Sequence, residues 1–119
     1  MFISRCAGRR HPDTDLGHRR IGFISGDNRL RSARERLAGY RDAVAQFGLD
    51  RDPDLVVDGD FLQKSGFDAA KRLLALKHRP TAIFAANDIS ALGASQALRE
   101  KGLRIPEDIS LIGFDDIAI

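Results

Sequence analysis

Arg36, Phe61, Asn87 and Asp115 bring together a guanidinium, an aromatic ring, a carboxamide and a carboxylate. Polar residues flank or repeat them at Gly26-Asp27-Asn28, Gly59-Asp60, Asp88 and Asp116. Such a set suits a small polyhydroxylated ligand. Carboxylate and amide exchange hydrogen bonds with paired hydroxyls, arginine presents a planar fork of donors, and an aromatic ring stacks on a ring face. A purine base satisfies similar partners, so the ligand class stays open between the two. Each side chain also has a plainer use. Asp88 reads as a helix cap, and Asp115-Asp116 as a turn after a strand. Arg36 reads as a partner of Asp60 in a surface bridge, and Phe61, on composition alone, as a core residue.

Catalysis finds little support. There is no G-x-G-x-x-G fingerprint, no P-loop and no nucleophile elbow, and no nucleophile has an evident base. His11 and His18 stand seven apart in a polar segment, and His78 is remote from both and from the single Cys6, so no metal-ligand spacing arises. Neither a cofactor nor a metal is expected. A lone cysteine excludes an internal disulfide framework and points to a reducing compartment. No apolar run is long enough to span a bilayer, and the amino-terminal residues lack a secretory pattern. A soluble, cytoplasmic domain without membrane contact is the expectation. The net charge is only +2, and five arginines against Asp13 and Asp15 concentrate positive charge in the first twenty residues. The remainder is near neutral, unlike a nucleic-acid footprint.

The elements that must position these side chains follow from periodicity in a chain of 119 residues, enough for one domain. Residues 1–17 show neither helical nor strand period and read as irregular. After Arg20, short apolar runs alternate with helical stripes, the mark of βαβ units. Strands are expected at 21–25, 55–57, 82–86 and 110–114. The first helix is expected from Ser32, where Ser32 and Glu35 fit a capping box, through the stripe Ala33, Leu37, Tyr40, Val44 and Phe47 to Gly48. Ser65 and Asp68 resemble a second box ahead of Ala69, Ala70, Leu73, Leu74 and Leu76, and Asn87-Asp88 caps a third helix that Gly102 stops. Right-handed crossovers then favour a parallel four-stranded sheet of order 2-1-3-4, with the first helix on one face and the other two on the opposite face. One face is short of a helix, so apolar surface beside the third and fourth strands is expected to be exposed and to promote self-association. The chemistry-bearing residues fall beyond the carboxyl ends of the strands, where open parallel sheets bind ligands, except Arg36, which is one turn into the first helix and within reach of the same edge.

From about Leu16 to Ile119 the chain resembles the effector-binding domain of the lactose-repressor/galactose-repressor family of bacterial transcription regulators. Four segments carry the resemblance, in order: GHRRIGFI from Gly17, SARERLAGY from Ser32, PTAIFAAND from Pro80 with Ala91-Leu92-Gly93, and IPEDISLIGFDDI from Ile105. The resemblance implies a periplasmic-binding-protein-like pair of α/β lobes that closes on a sugar, nucleobase or related effector. Residues 18–119 then correspond to part of the carboxyl-terminal lobe. By motif position, Arg36, Phe61, Asn87 and Asp115 contact effector, Ser32 lies near the same pocket, and Ala91 and Leu92 mark a dimer contact. The helix-turn-helix and first lobe of that family have no counterpart in the sequence. The expectation is therefore half an effector site with weak affinity, and DNA contact only through a region absent from this chain. A lobe of a solute-binding protein and a ligand-free dimerisation module are the alternatives.

Overall fold

The computed structural model describes residues 19–113. Four strands, β1 (Ile21–Ile24), β2 (Val56–Val57), β3 (Ala82–Ala85) and β4 (Ser110–Ile112), alternate with three helices, α1 (Arg31–Phe47), α2 (Gln63–Leu74) and α3 (Asp88–Glu100). The sheet order is β2-β1-β3-β4 and all three pairings are parallel, as the sequence predicts. Leu55, expected in β2, instead closes a 3-10 turn over Pro53–Leu55, capped by Asp52. The irregular segment 1–17 lies outside the described residues.

The winding divides the core between the two faces. On one, Ile21, Phe23, Phe84 and Ile112 pack against Tyr40, Ala43 and Val44 of α1. On the other, Ile24, Val57, Ile83 and Leu111 meet Ala69, Ala70 and Leu73 of α2 and Ala94, Ala97 and Leu98 of α3. The expected exposure beside β3 and β4 does not occur, since Ala82, Phe84 and Ile112 are all buried. Phe23 stacks on Tyr40 at 5.0 Å and on Phe84 at 5.7 Å, a column of rings that joins α1, β1 and β3. Ala82 and Ala86, the other β3-side residues of this cluster, have little side chain to cover.

Neither Ser32 nor Ser65 caps its helix. α1 begins one residue ahead of Ser32, and its N-cap, Leu30, offers no side-chain bond. The entry is fixed instead by a turn in which Leu30 N–H donates to the Asp27 carbonyl at 2.9 Å and Arg29 N–H to the Asp27 carboxylate at 3.0 Å. Glu35 pairs with Arg31 at 2.9 Å rather than reaching back to a cap. α2 begins at Gln63, and Ser65 lies inside its first turn, bonded to Asp60 and to the Leu62 carbonyl. Gly48, with φ of 63°, ends α1 in the left-handed conformation expected of it.

Tyr40 ties α1 to the sheet, its hydroxyl donating to the Ile21 carbonyl at 2.6 Å. Burial pushes its phenol up to about 12 from the ordinary 10.0, with Arg20 opposing. A folded-state value above the unfolded one means that the native chain holds the proton more tightly. Its contribution is complete below pH 10 and is lost as pH rises from 10 through 12. The expected total loss is about 3 kcal/mol. Urea unfolding at stepped alkaline pH measures it, and Tyr40→Phe removes this alkaline component while lowering stability at neutral pH by about 1 kcal/mol.

Candidate functional site

The strand order reverses between β1 and β3, and ligands of open parallel sheets bind above such a point. The carboxyl ends of β1 and β3 place Gly26-Asp27-Asn28 and Asn87 there, and α1 and the segment before α2 bring in Arg36 and Phe61. Arg36 stands over the Phe61 ring, its guanidinium carbon 5.2 Å from the centroid, within cation–π range. Arg36 and Phe61 are both half-buried, and Phe61 packs against the α1-side core. The core and ligand readings of Phe61 are thus compatible, since one edge of the ring is anchored in the fold.

Gly26 is what lets the ring lie there. A Cβ on Gly26 would stand 2.1 Å from Cζ of Phe61. Phe61 itself has φ of 70°, the left-handed region, which bulky side chains rarely adopt. The Asn87 side-chain amide donates to the Phe61 carbonyl at 3.0 Å, linking the end of β3 to this residue.

Asn87, not Asp88, caps α3. Its Oδ1 accepts from Ser90 N–H at 2.9 Å and from the Ser90 hydroxyl at 2.7 Å. Asp88 is the first helical residue, and its Oδ1 packs against the backbone of Gly113. The two residues are both favoured caps, and a shift of one position decides between them. Ser32 is exposed on the first turn of α1, on the same helix as Arg36 and one turn before it. Asp115, with Phe114 and Asp116, lies outside the described residues.

Two carboxylates of the rim, Asp27 and Asp60, are engaged by the protein. Asp27 holds the Arg29 guanidinium at 2.6 Å, and this bond draws its pKa down to about 2. Asp60 accepts from the Ser65 hydroxyl and from Leu62 N–H, and these bonds, Ser65 first, hold it below the usual carboxylate range. Sequence reasoning missed a third cluster. Ser25, fully buried, accepts from Gly59 N–H at 3.3 Å, and Asn28 donates to Asp58 at 3.3 Å, joining the ends of β1 and β2. A serine closing an otherwise apolar buried strand was the available signal. Among the described residues no group of histidine, cysteine and carboxylate side chains could hold a metal ion.

An arginine, an aromatic ring and amide groups at the switch point of a parallel sheet are the furniture of a small-molecule receptor, and residues 14–119 match the family described as periplasmic binding protein-like domain. The chain belongs to that family. Within it, the chain resembles the effector-binding domains of LacI-type regulators. The HTH-type transcriptional repressor PurR of Haemophilus influenzae (strain PittEE) is 45% identical over 103 residues, covering 87% of this chain and 31% of the relative. The transcriptional regulator CelR, solved as a cellobiose complex, superposes with a TM-score of 0.80 at 40% identity, over 97% of this chain and 35% of that one. The lac repressor dimer, solved with operator and the anti-inducer ONPF, gives 0.77 at 39% identity, over 86% and 35%. These relatives are transcription regulators, not enzymes. The chain spans about a third of the length of the relatives it matches.

The two dimer positions part company. Ala91 is fully buried and has no surface to offer a second copy, whereas Leu92 is 49% exposed. Ile89 and Leu62 are likewise exposed, at the amino ends of α3 and α2. Among the described residues no helix is long and apolar enough to cross a membrane.

Proposed function

We propose that this lobe senses a small-molecule effector of the sugar or nucleobase class for a cytoplasmic transcription regulator, with DNA contact made by a region not included in this sequence. The observation that carries the proposal is the Arg36–Phe61 pair at the strand-order switch. A planar donor fork beside an aromatic face recognises a flat or ring-shaped ligand with polar edges. Arg36 stands over the ring and the Gly26 backbone lies against it, so an effector meets the exposed part of the ring beside the guanidinium. Ser32 is assigned as a hydroxyl partner, Asp115 as a carboxylate partner, and Asn87, through its one remaining N–H, as an amide partner. The regulator relatives favour this reading over a solute-binding lobe. A single lobe encloses a ligand from one side only, so weak affinity is expected.

The test is a titration followed by amide and side-chain NMR shifts, with cellobiose as the sugar and adenine as the purine. The expected result is saturable perturbation centred on Gly26, Arg36 and Phe61 by one class and not the other. Absence of localised shifts with either probe would remove the effector reading.

Self-association is proposed to run through Leu92 with Ile89 and Leu62, side chains that present exposed apolar surface at neighbouring helix ends. Leu92→Asp is expected to convert a dimer to a monomer in sedimentation velocity. A wild-type chain that sediments as a monomer at every concentration overturns the proposal.

A further inference from the structure

We infer that Asn87 is a positioning residue that acts through the Phe61 backbone, in addition to offering its one remaining N–H to an effector. This rests on reading the rim as the effector site. A carboxamide has two N–H donors and two acceptor lone pairs. Both acceptor positions of Asn87 are taken by Ser90, through its N–H at 2.9 Å and its hydroxyl at 2.7 Å. One donor is taken by the Phe61 carbonyl at 3.0 Å. Three of the four bonding positions are therefore spent on the protein itself.

Their target explains the arrangement. Phe61 is the one non-glycine residue of positive φ among the described residues, at 70°. Such a conformation persists for an aromatic residue only where the surroundings impose it. The restraints sit on either side of it. Asp60 accepts from Leu62 N–H at 3.0 Å, bending the chain after Phe61, and Asn87 holds the carbonyl of Phe61 itself. The left-handed turn brings the ring against Gly26 and under Arg36. Release of the carbonyl lets φ return to the broad negative basin and carries the ring off Gly26. Asn87 thus joins the amino end of α3 to the aromatic platform before α2, across 26 residues of sequence.

The two duties of the side chain separate by substitution. Asn87→Asp keeps a favoured cap acceptor for the α3 amide but replaces the donor to Phe61 with a second acceptor. Asn87→Ser likewise keeps a cap and lacks the reach to Phe61, so it serves if the aspartate variant fails to fold. Asn87→Ala removes both bonds. The full chain is compared by thermal unfolding and by the ring-current shifts that Phe61 imposes on Gly26 Hα and Arg36 Hε. Asn87→Asp and Asn87→Ser are expected to unfold close to the wild-type temperature yet lose those shifts, with binding of the active probe, cellobiose or adenine, weakened about tenfold. Asn87→Ala is expected to lose both the shifts and thermal stability. Wild-type ring-current shifts in Asn87→Asp or Asn87→Ser overturn the inference. The shifts are read without ligand, so a failure of both probes to bind counts against the effector reading and leaves the positioning result to be judged independently.

Discussion

Gly93→Ala is expected to lower the stability of the chain by about 3 kcal/mol, the upper end of what overpacking costs. A methyl on Gly93 would stand 1.9 Å from the Gln63 carbonyl oxygen and 2.8 Å from the Phe67 nitrogen. The contact is reciprocal, because a methyl on Gly66 would stand 2.1 Å from the Ser90 carbonyl oxygen. In both cases the obstacle is backbone, with no side-chain rotamer free to yield. α2 and α3 must move apart, opening the layer of Ala69, Ala70, Ala94 and Ala97 beneath them. Urea unfolding reads this as a lower midpoint at unchanged slope. A loss below about 1 kcal/mol would mean that the two helices separate freely and that backbone contact does not hold them. The consequence reaches the site, since Asn87 caps α3 and Phe61 lies just before α2. The locked helix pair sets the distance between them.

That interlock was not legible in the sequence, whereas the sheet was. Runs such as Ile21–Ile24 and Ala82–Ala85 announce buried parallel strands by being apolar on both faces, and right-handed crossovers then leave few orders to choose from. Arg36 and Phe61 were legible for the same reason, because strand ends in a parallel sheet converge on one rim. Two glycines on different helices carry no mark of facing each other. The caps failed for a related reason. Ser32 and Ser65 have the spacing of capping boxes, but a turn built on Asp27 satisfies the entry to α1, and Asp60 draws Ser65 away. A local motif competes with whatever the preceding loop already supplies. Asn87 was placed at the rim by its position after β3, yet the partners of its amide depend on a loop 26 residues away. The expected bare face beside β3 and β4 followed from counting helices alone, and Phe84 and Ile112 on that face are buried.

Gly26→Ala is expected to have the opposite profile, with little loss of stability and a loss of effector response of about tenfold to a hundredfold, as removal of a stacking platform typically gives. The added methyl would stand 2.1 Å, 2.3 Å and 2.5 Å from three atoms of the Phe61 ring. Here the obstacle is the far end of a half-exposed side chain, so the ring swings away and the backbone stays. The displaced ring can no longer sit 5.2 Å below the Arg36 guanidinium, and both halves of the proposed receptor pair are misplaced at once. The same titration with cellobiose or adenine measures the change, and Phe61→Leu is expected to show a comparable loss because it removes the aromatic face without opening the core edge. Unaltered binding in Gly26→Ala would show that the ring is only a core residue. Unaltered binding in Gly26→Ala with a loss in Arg36→Ala would assign recognition to the guanidinium alone. The pair of glycine variants therefore separates the two uses of close approach in this fold, one holding helices together and the other setting an aromatic ring at a rim.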